Sequence, residues 1–99
     1  MIYHITRLTD WQAALASGSY QADSLTSQGF IHCSKHEQVL QVGSAFFKSQ
    51  QGLVLLVIDP LRVRAEIRYE NLEGGPELFP HIYGPLNIDA VTEVQPFEC

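Results

Sequence analysis

The stretch Leu53–Ile58, which reads LVLLVI, is apolar at every position. A strand covered on both faces shows such an unbroken apolar run, whereas a half-exposed strand alternates apolar with polar residues. Asp59 and Pro60 follow directly and end the run, because proline cannot donate a hydrogen bond within a sheet. The stretch therefore predicts a central strand that is buried on both faces.

Alternating stretches on both sides of this run predict the remaining strands. Successive side chains of an extended chain point to opposite faces. We therefore expect Phe30, His32 and Ser34 on one face of a strand, with Ile31 and Cys33 on the other. About six short strands are predicted in all, from residues 2–7, 30–34, 53–58, 67–70, 81–83 and 90–94.

Two helices are predicted, and the first begins soon after residues 2–7. Thr9 followed by Gln12 matches a capping box, whose two side chains accept hydrogen bonds from free N–H groups at a helix start. Gly18 is expected to end this helix, because glycine readily adopts the left-handed conformation found at helix C-termini. Residues 19–28 are polar with scattered apolar residues, which predicts a surface loop.

The second helix is predicted directly after the strand at residues 30–34. Ser34 followed by Glu37 is a second capping box, and the helix is expected to continue to about Gln50. Its predicted buried face comprises Val39, Leu40, Val42, Gly43, Phe46 and Phe47. Residues 1–99 are therefore expected to form one α+β domain, with two helices and about six strands.

The charge balance limits the partners that we expect. The chain has 6 Lys+Arg against 11 Asp+Glu, a formal net charge of −5, and its cations form no dense run. Such a chain repels polyanions, so neither extended nucleic acid nor an anionic membrane is an expected partner. The longest apolar run is too short to span a bilayer. A small-molecule or nucleotide ligand in a local pocket is compatible with this composition.

The N-terminal stretch and the cysteines predict the compartment. MIYHITRLTDW has neither the basic start nor the long apolar stretch of a secretory signal. Cys33 and Cys99 have neither metal-ligand spacing nor the pattern of a disulfide framework. We therefore expect a reduced cytoplasmic protein in which Cys33 packs as a small apolar residue. The expected oligomeric state is a monomer or a weak homodimer.

Three of the four histidines, His4, His32 and His81, fall within predicted strands. Tyr83 lies two residues after His81 and so shares its face of an extended chain. Imidazole can donate and accept hydrogen bonds and titrates near neutral pH. If the strands are neighbours, these side chains would form a polar strip along one cleft. His36, at the start of the second helix, is expected at the surface.

Other roles are open for these residues. Each histidine could be structural and bonded to a backbone carbonyl, since an unpaired buried polar group costs about 1–3 kcal/mol. Three imidazoles plus water form a known catalytic zinc site, but the chain has no HxH or HExxH motif. Glu70 could form a surface ion pair with Arg68 or place a carboxylate at the edge of a cleft.

A family resemblance rests on four stretches, which are HIT at residues 4–6, GFIHCS at 29–34, YE at 69–70 and FPHIYGPL at 79–86. With them the chain resembles, from Ile2 to Phe97, the small bacterial proteins grouped as domain of unknown function 952. That family is considered a remote relative of the ADP-ribosyltransferase superfamily. The resemblance implies an ADP-ribosyltransferase-like fold, which is a split, mixed β-sheet whose cleft holds NAD.

The resemblance also implies roles for individual residues. His4 would contact a ribose of NAD, and GFIHCS would be the second signature strand, with His32 and Ser34 facing the nicotinamide side. The third signature of the superfamily supplies a glutamate that stabilises the cationic ribosyl centre. Glu70 is a candidate for it, whereas FPHIYGPL has histidine and tyrosine instead. The implied catalytic residues are His4, His32 and Glu70, and the implied ligand-binding residues are Ser34, His81 and Tyr83.

The function that we expect on this basis is binding of NAD or a related nucleotide. NAD would serve as a substrate whose ADP-ribose is transferred to a small acceptor, without a metal ion. One alternative is a non-catalytic domain for small-ligand binding or protein interaction. The other alternative is a histidine metal enzyme.

Overall fold

The computed structural model describes residues 1–98, so the prediction for Cys99 lies outside the described residues. Its strands are β1 (Ile2–Arg7), β2 (Ser19–Tyr20), β3 (Ile31–His32), β4 (Leu53–Ile58), β5 (Glu66–Glu70), β6 (Phe79–Tyr83), β7 (Leu86–Asn87) and β8 (Val91–Phe97). Its α-helices are α1 (Leu8–Ser17), α2 (Asp23–Gln28) and α3 (Val39–Phe46). Two 3₁₀ turns, His36–Gln38 and Ile88–Ala90, complete the described elements.

The apolar run forms the centre of the main sheet. Strand β4 lies between β1 and β8, and it is buried at every position. Its register with β1 runs from Ile2 opposite Ile58 to Arg7 opposite Leu53. The prediction of a central strand covered on both faces is confirmed.

A second three-stranded sheet has the order β3-β6-β5, and β2 pairs with β7 in a small ribbon. The two larger sheets meet at one bridge, in which Tyr3 and Ser34 exchange backbone hydrogen bonds of 2.9 and 2.7 Å. All strand pairings described within residues 1–98 are antiparallel. The resemblance implies a split, mixed sheet, whereas these pairings contain no parallel strands, and the described strands number eight rather than about six.

The core has two parts, one on each side of β4. Ile2, Leu56, Ile31 and Ile82 belong to the larger part, which also contains Cys33. The smaller part lies under α3 and contains Ile5, Val39, Leu53, Leu55 and Phe97. Cys33 is 4% exposed, which confirms the prediction that it packs as a small apolar residue. Together these layers make a single α+β domain.

The segment at residues 19–28 is not the surface loop that its composition predicted. It contains β2, which pairs with β7, and the short helix α2. Helix α1 begins at Leu8, and no side-chain cap from Thr9 is formed, whereas Gly18 ends it in the left-handed conformation at φ 95°. Pairing with a distant strand orders the segment, which local composition does not reveal.

The second helix is shorter than predicted and has a different buried face. The Ser34–Glu37 capping box does not form, and Gln38 Oε1 instead accepts a 2.8 Å bond from the Lys35 N–H. Helix α3 ends at Phe46, not at Gln50. Val39 and Gly43 are buried, but Leu40 and Phe46 are each 72% exposed, because the sheet covers only one side of the helix. No helix within residues 1–98 is long and apolar enough to cross a membrane.

Candidate functional site

The sheet β3-β6-β5 has one apolar face and one polar face. Ile31 and Ile67 both lie opposite Ile82, and all three pack in or against the larger part of the core. His32 and Arg68 both lie opposite His81, so alternation places them on the other side. We call this side the polar face, and its side chains are His32, Glu66, Arg68, Glu70, His81 and Tyr83.

Glu70 is the hydrogen-bond acceptor of a cluster on the polar face. Its Oε1 accepts a 3.1 Å bond from His81 Nδ1 and a short bond from the Tyr83 hydroxyl. These bonds stabilise the carboxylate, so they lower the pKa of Glu70, with the Tyr83 bond the larger cause. The same bond raises the pKa of Tyr83. Glu70 is therefore a charged group held by two neighbours at neutral pH.

Aromatic contacts set the positions of both imidazoles on the polar face. Phe30 is 4% exposed and stacks on His81, with ring centroids 4.2 Å apart and planes at 20°. His32 meets Phe30 and His81 edge-on at 4.7 and 5.2 Å. Partial burial lowers the pKa of His32, and the charge of His81 contributes in the same direction. His32 is exposed, whereas His81 is only 5% exposed.

Arg68 forms an ion pair with Glu66, not with Glu70, which was one of the two roles left open for Glu70. Its guanidinium bonds to Glu66 at 2.8 and 3.2 Å and lies 4.4 Å from the centre of the Tyr83 ring. The Arg68 and Glu66 side chains are about half exposed, so their pair adds little stability. The structure places Glu70 with His81 and Tyr83 instead.

His4 lies apart from the other two strand histidines. Its Nδ1 donates a 2.5 Å hydrogen bond to the backbone carbonyl of His32, across the gap between β1 and β3. Its Nε2 lies 2.8 Å from the Tyr20 hydroxyl, which in turn lies 2.9 Å from Thr6 Oγ1. Burial lowers the pKa of His4 to about 4, so the ring is neutral at pH 7.

The donor and the acceptor of each hydrogen bond that links the His32 carbonyl, His4, Tyr20 and Thr6 can be assigned. Because Nδ1 of His4 faces a carbonyl it carries the ring proton, and Nε2 is left as an acceptor. The single proton of Tyr20 therefore goes to His4 Nε2, and the Thr6 hydroxyl donates to the Tyr20 oxygen. Tyr20 is 4% exposed, and its burial raises its pKa to about 12. Both ring nitrogens of His4 are thus occupied by protein groups.

The three histidines do not share one face. Tyr3 and Ser34 lie directly opposite each other in the bridge between β1 and the strand that contains β3, so the side chains of Tyr3 and Ser34 lie on the same side. His32, two residues before Ser34, belongs to that side, whereas His4, next to Tyr3, belongs to the other. The structure brings His32, His81, Tyr83 and Glu70 together but not His4, and Ser34 is buried.

A cleft of about 640 Å³ lies beside His4 rather than at the polar face. Its walls come mainly from β1, α1 and residues 19–23, and they include Thr6, Tyr20 and Asp23. The Arg7–Asp10 ion pair, with an N–O distance of 3.2 Å, is also part of the lining. The side-chain cluster of the polar face and this cleft are therefore separate features.

The metal alternative has no support from the arrangement of side chains. Within residues 1–98, no group of three His, Cys, Asp or Glu side chains lies close enough to hold a metal ion. His36 is exposed, as predicted, and its ring lies 5.5 Å from that of Tyr3.

Sequence reasoning missed Gln28 and Tyr20. Gln28 Oε1 accepts a 2.5 Å bond from His32 Nε2, and Tyr20 bonds to His4. Both residues belong to the segment that was predicted as a loop. Gly29, which ends α2 at φ 86°, is a local signal that could have indicated a helix there.

Tyr20→Phe is expected to lower the free energy of unfolding by about 1–2 kcal/mol, because it leaves His4 Nε2 without its donor and Thr6 without its acceptor. Urea unfolding at pH 7.5 measures this. Tyr69→Phe is the matched control, since Tyr69 is 49% exposed. Equal stability of the two variants would contradict the hydrogen-bonded chain.

Comparison with known proteins identifies relatives over almost the whole chain. The family model described as "Protein of unknown function (DUF952)" matches residues 5–94. The crystal structure of CC0527 from Caulobacter crescentus is 33% identical, with a TM-score of 0.88 over 98% of this chain and 85% of that chain. Its solution NMR structure gives a TM-score of 0.80, at the same identity and over 98% and 84%. No curated protein matches the chain. The chain belongs to the DUF952 family of proteins of unknown function.

Proposed function

We propose that this protein binds NAD or a related nucleotide at the polar face and transfers ADP-ribose to a small acceptor. The observation that carries the proposal is the cluster in which Glu70 is held by His81 and Tyr83 beside His32. Sequence reasoning left open which residue supplies the carboxylate of the superfamily. Glu70 is the residue that we assign to this role.

The chemistry of the transfer requires a carboxylate of this kind. When the bond between the ribosyl carbon and nicotinamide breaks, positive charge develops on the ribose, and a fixed negative charge nearby stabilises it. Oε1 of Glu70 accepts both bonds from the protein, so Oε2 is the oxygen that would face the ribose. Since the pKa of Glu70 is lowered, the carboxylate is charged at neutral pH.

The other side chains of the polar face fit the remaining parts of a nucleotide. Arg68 is half exposed and can turn from Glu66 to a phosphate, which a guanidinium binds through two parallel hydrogen bonds. His32 is exposed and offers an imidazole edge to the reacting end of the nucleotide. His4 receives a positioning role rather than the ribose contact that the resemblance implies, because both its nitrogens are bonded within the protein.

A non-catalytic ligand-binding domain is the second candidate. The exposure of His32 and the half-exposed Arg68 favour it, because water has access to the polar face. Enzymes that form an oxocarbenium-like centre usually exclude water from it. Binding without nicotinamide release separates this candidate from the transferase.

Isothermal titration with NAD, ADP-ribose and nicotinamide tests the proposal. We expect NAD and ADP-ribose to bind, and Arg68→Ala to weaken both by about tenfold while leaving nicotinamide unaffected. His36→Ala, which changes an exposed histidine that is not one of the side chains of the polar face, is the matched control and should bind like the wild type. The absence of heat with NAD and ADP-ribose at millimolar concentrations would refute nucleotide binding.

A further inference from the structure

Gln28, the last residue of α2, makes a contact that the proposed function does not use. Its Oε1 accepts the 2.5 Å hydrogen bond from His32 Nε2, four residues further along the chain. An amide oxygen only accepts, so the Nε2 of His32 carries the ring proton. Within residues 1–98, no protein group bonds to the other ring nitrogen, Nδ1, which therefore has a free lone pair.

The orientation of the His32 ring is fixed from three sides. Phe30 and His81 hold it edge-on at 4.7 and 5.2 Å, and Gln28 holds Nε2. Phe30 and His81 are both about 95% buried, so their side of the ring is packed, while His32 itself is exposed. An imidazole held in one orientation with one free lone pair is the arrangement of a general base whose partner sets its tautomer.

We infer that Gln28 is a positioning residue that keeps His32 in the Nε2–H tautomer, so that Nδ1 takes the proton of an alcohol or water that attacks the ribosyl carbon. This inference rests on the proposed function for the reaction, but the tautomer assignment stands on the Gln28 contact alone. The acceptor that follows is a group that carries a proton, such as the O–H of an alcohol or water, because a carboxylate acceptor would bring no proton for Nδ1 to take.

The step balances with groups that the proposal names. The acceptor oxygen forms a bond to the ribosyl carbon as its proton passes to His32 Nδ1. The bond from that carbon to nicotinamide breaks, and nicotinamide leaves as a neutral molecule with the electron pair. His32 becomes an imidazolium whose Nε2–H remains bonded to Gln28. Release of this proton to solvent returns the starting state.

Two substitutions of Gln28 compare a hydrogen-bond acceptor with a hydrogen-bond donor opposite His32 Nε2. Gln28→Glu keeps an oxygen acceptor opposite His32 Nε2, whereas Gln28→Lys places an N–H donor there and favours the proton on Nδ1 instead. The position is exposed at a helix end, so both side chains can be accommodated. Imidazole ¹⁵N shifts of the unliganded protein at pH 8 report the tautomer without any ligand.

We expect the Nε2–H tautomer at His32 in the wild type and in Gln28→Glu, and the Nδ1–H tautomer in Gln28→Lys. With NAD and a small alcohol, nicotinamide release should fall by about 10²–10⁴-fold in Gln28→Lys, while titrated NAD affinity stays within about threefold. Gln28→Glu should retain turnover within about tenfold.

An Nδ1–H tautomer in the wild type would overturn the assignment of Gln28. Wild-type turnover in Gln28→Lys, or no nicotinamide release from wild-type protein that binds NAD, would overturn the base role of His32. The expected tautomers without any heat from NAD would refute the proposed function and leave the positioning by Gln28 in place.

Discussion

Acidification from pH 6.5 to pH 4 is expected to cost this protein up to about 3 kcal/mol of its free energy of unfolding through His4. Burial lowers the pKa of His4 to about 4 from its ordinary value of 6.5. Between these two values the unfolded chain binds a proton at His4 that the folded chain does not. Stability from this residue is therefore complete above pH 6.5 and is lost as the pH falls towards 4.

Urea unfolding at several pH values between 7.5 and 4 measures the loss. The slope should be steeper in the wild type than in His4→Asn, which does not titrate and still offers an N–H towards the His32 carbonyl. His36→Gln, at an exposed histidine, is the matched control for the removal of an imidazole. Identical slopes in the wild type and His4→Asn would show that His4 is not buried as a neutral ring.

Leu56→Ala is expected to lower the free energy of unfolding by about 3–4 kcal/mol, the range of large-to-small changes in well-packed cores. Leu56 is 0% exposed and lies opposite His4 on β1 and opposite Val94 on β8. Its side chain packs in the same part of the core as Ile31 and Ile82, which form the underside of the polar face. The melting temperature should fall by roughly 10–25 °C in a chain of this length.

Leu61→Ala is the matched control for this change. Leu61 is 93% exposed, so the same chemical truncation should alter stability by less than about 0.5 kcal/mol. Thermal unfolding of both variants, followed by circular dichroism, measures the difference. A melting temperature of Leu56→Ala close to that of Leu61→Ala would contradict the central position of β4.

Local sequence was sufficient to predict those features that depend on a residue pattern within one element. LVLLVI predicted the central strand because only a strand covered on both faces is apolar throughout. Alternation correctly separated His32 from Cys33, since it depends only on strand geometry. Gly18 marked the end of α1 for a similarly local reason, its left-handed backbone.

Long-range pairing decided what local patterns could not. Helix α2 has six residues and none that is buried, so no apolar stripe revealed it, although it supplies Gln28. Apolar spacing predicted that Leu40 and Phe46 lie on a buried face of α3. Which side of α3 the sheet covers depends on residues outside that helix, and both side chains are exposed. The partners of Glu70 depend on the pairing of β5 with β6, which sequence spacing within β5 does not contain.

The candidate site shows the same division. Residue types alone identify the side chains with useful chemistry, because imidazole, phenol and carboxylate groups are properties of residue type. The meeting of His32 with His81, with His4 on the other side, follows from the folded chain. The reason is the Tyr3–Ser34 bridge, since the pairing of two strands distant in the chain sets which face each alternating side chain occupies.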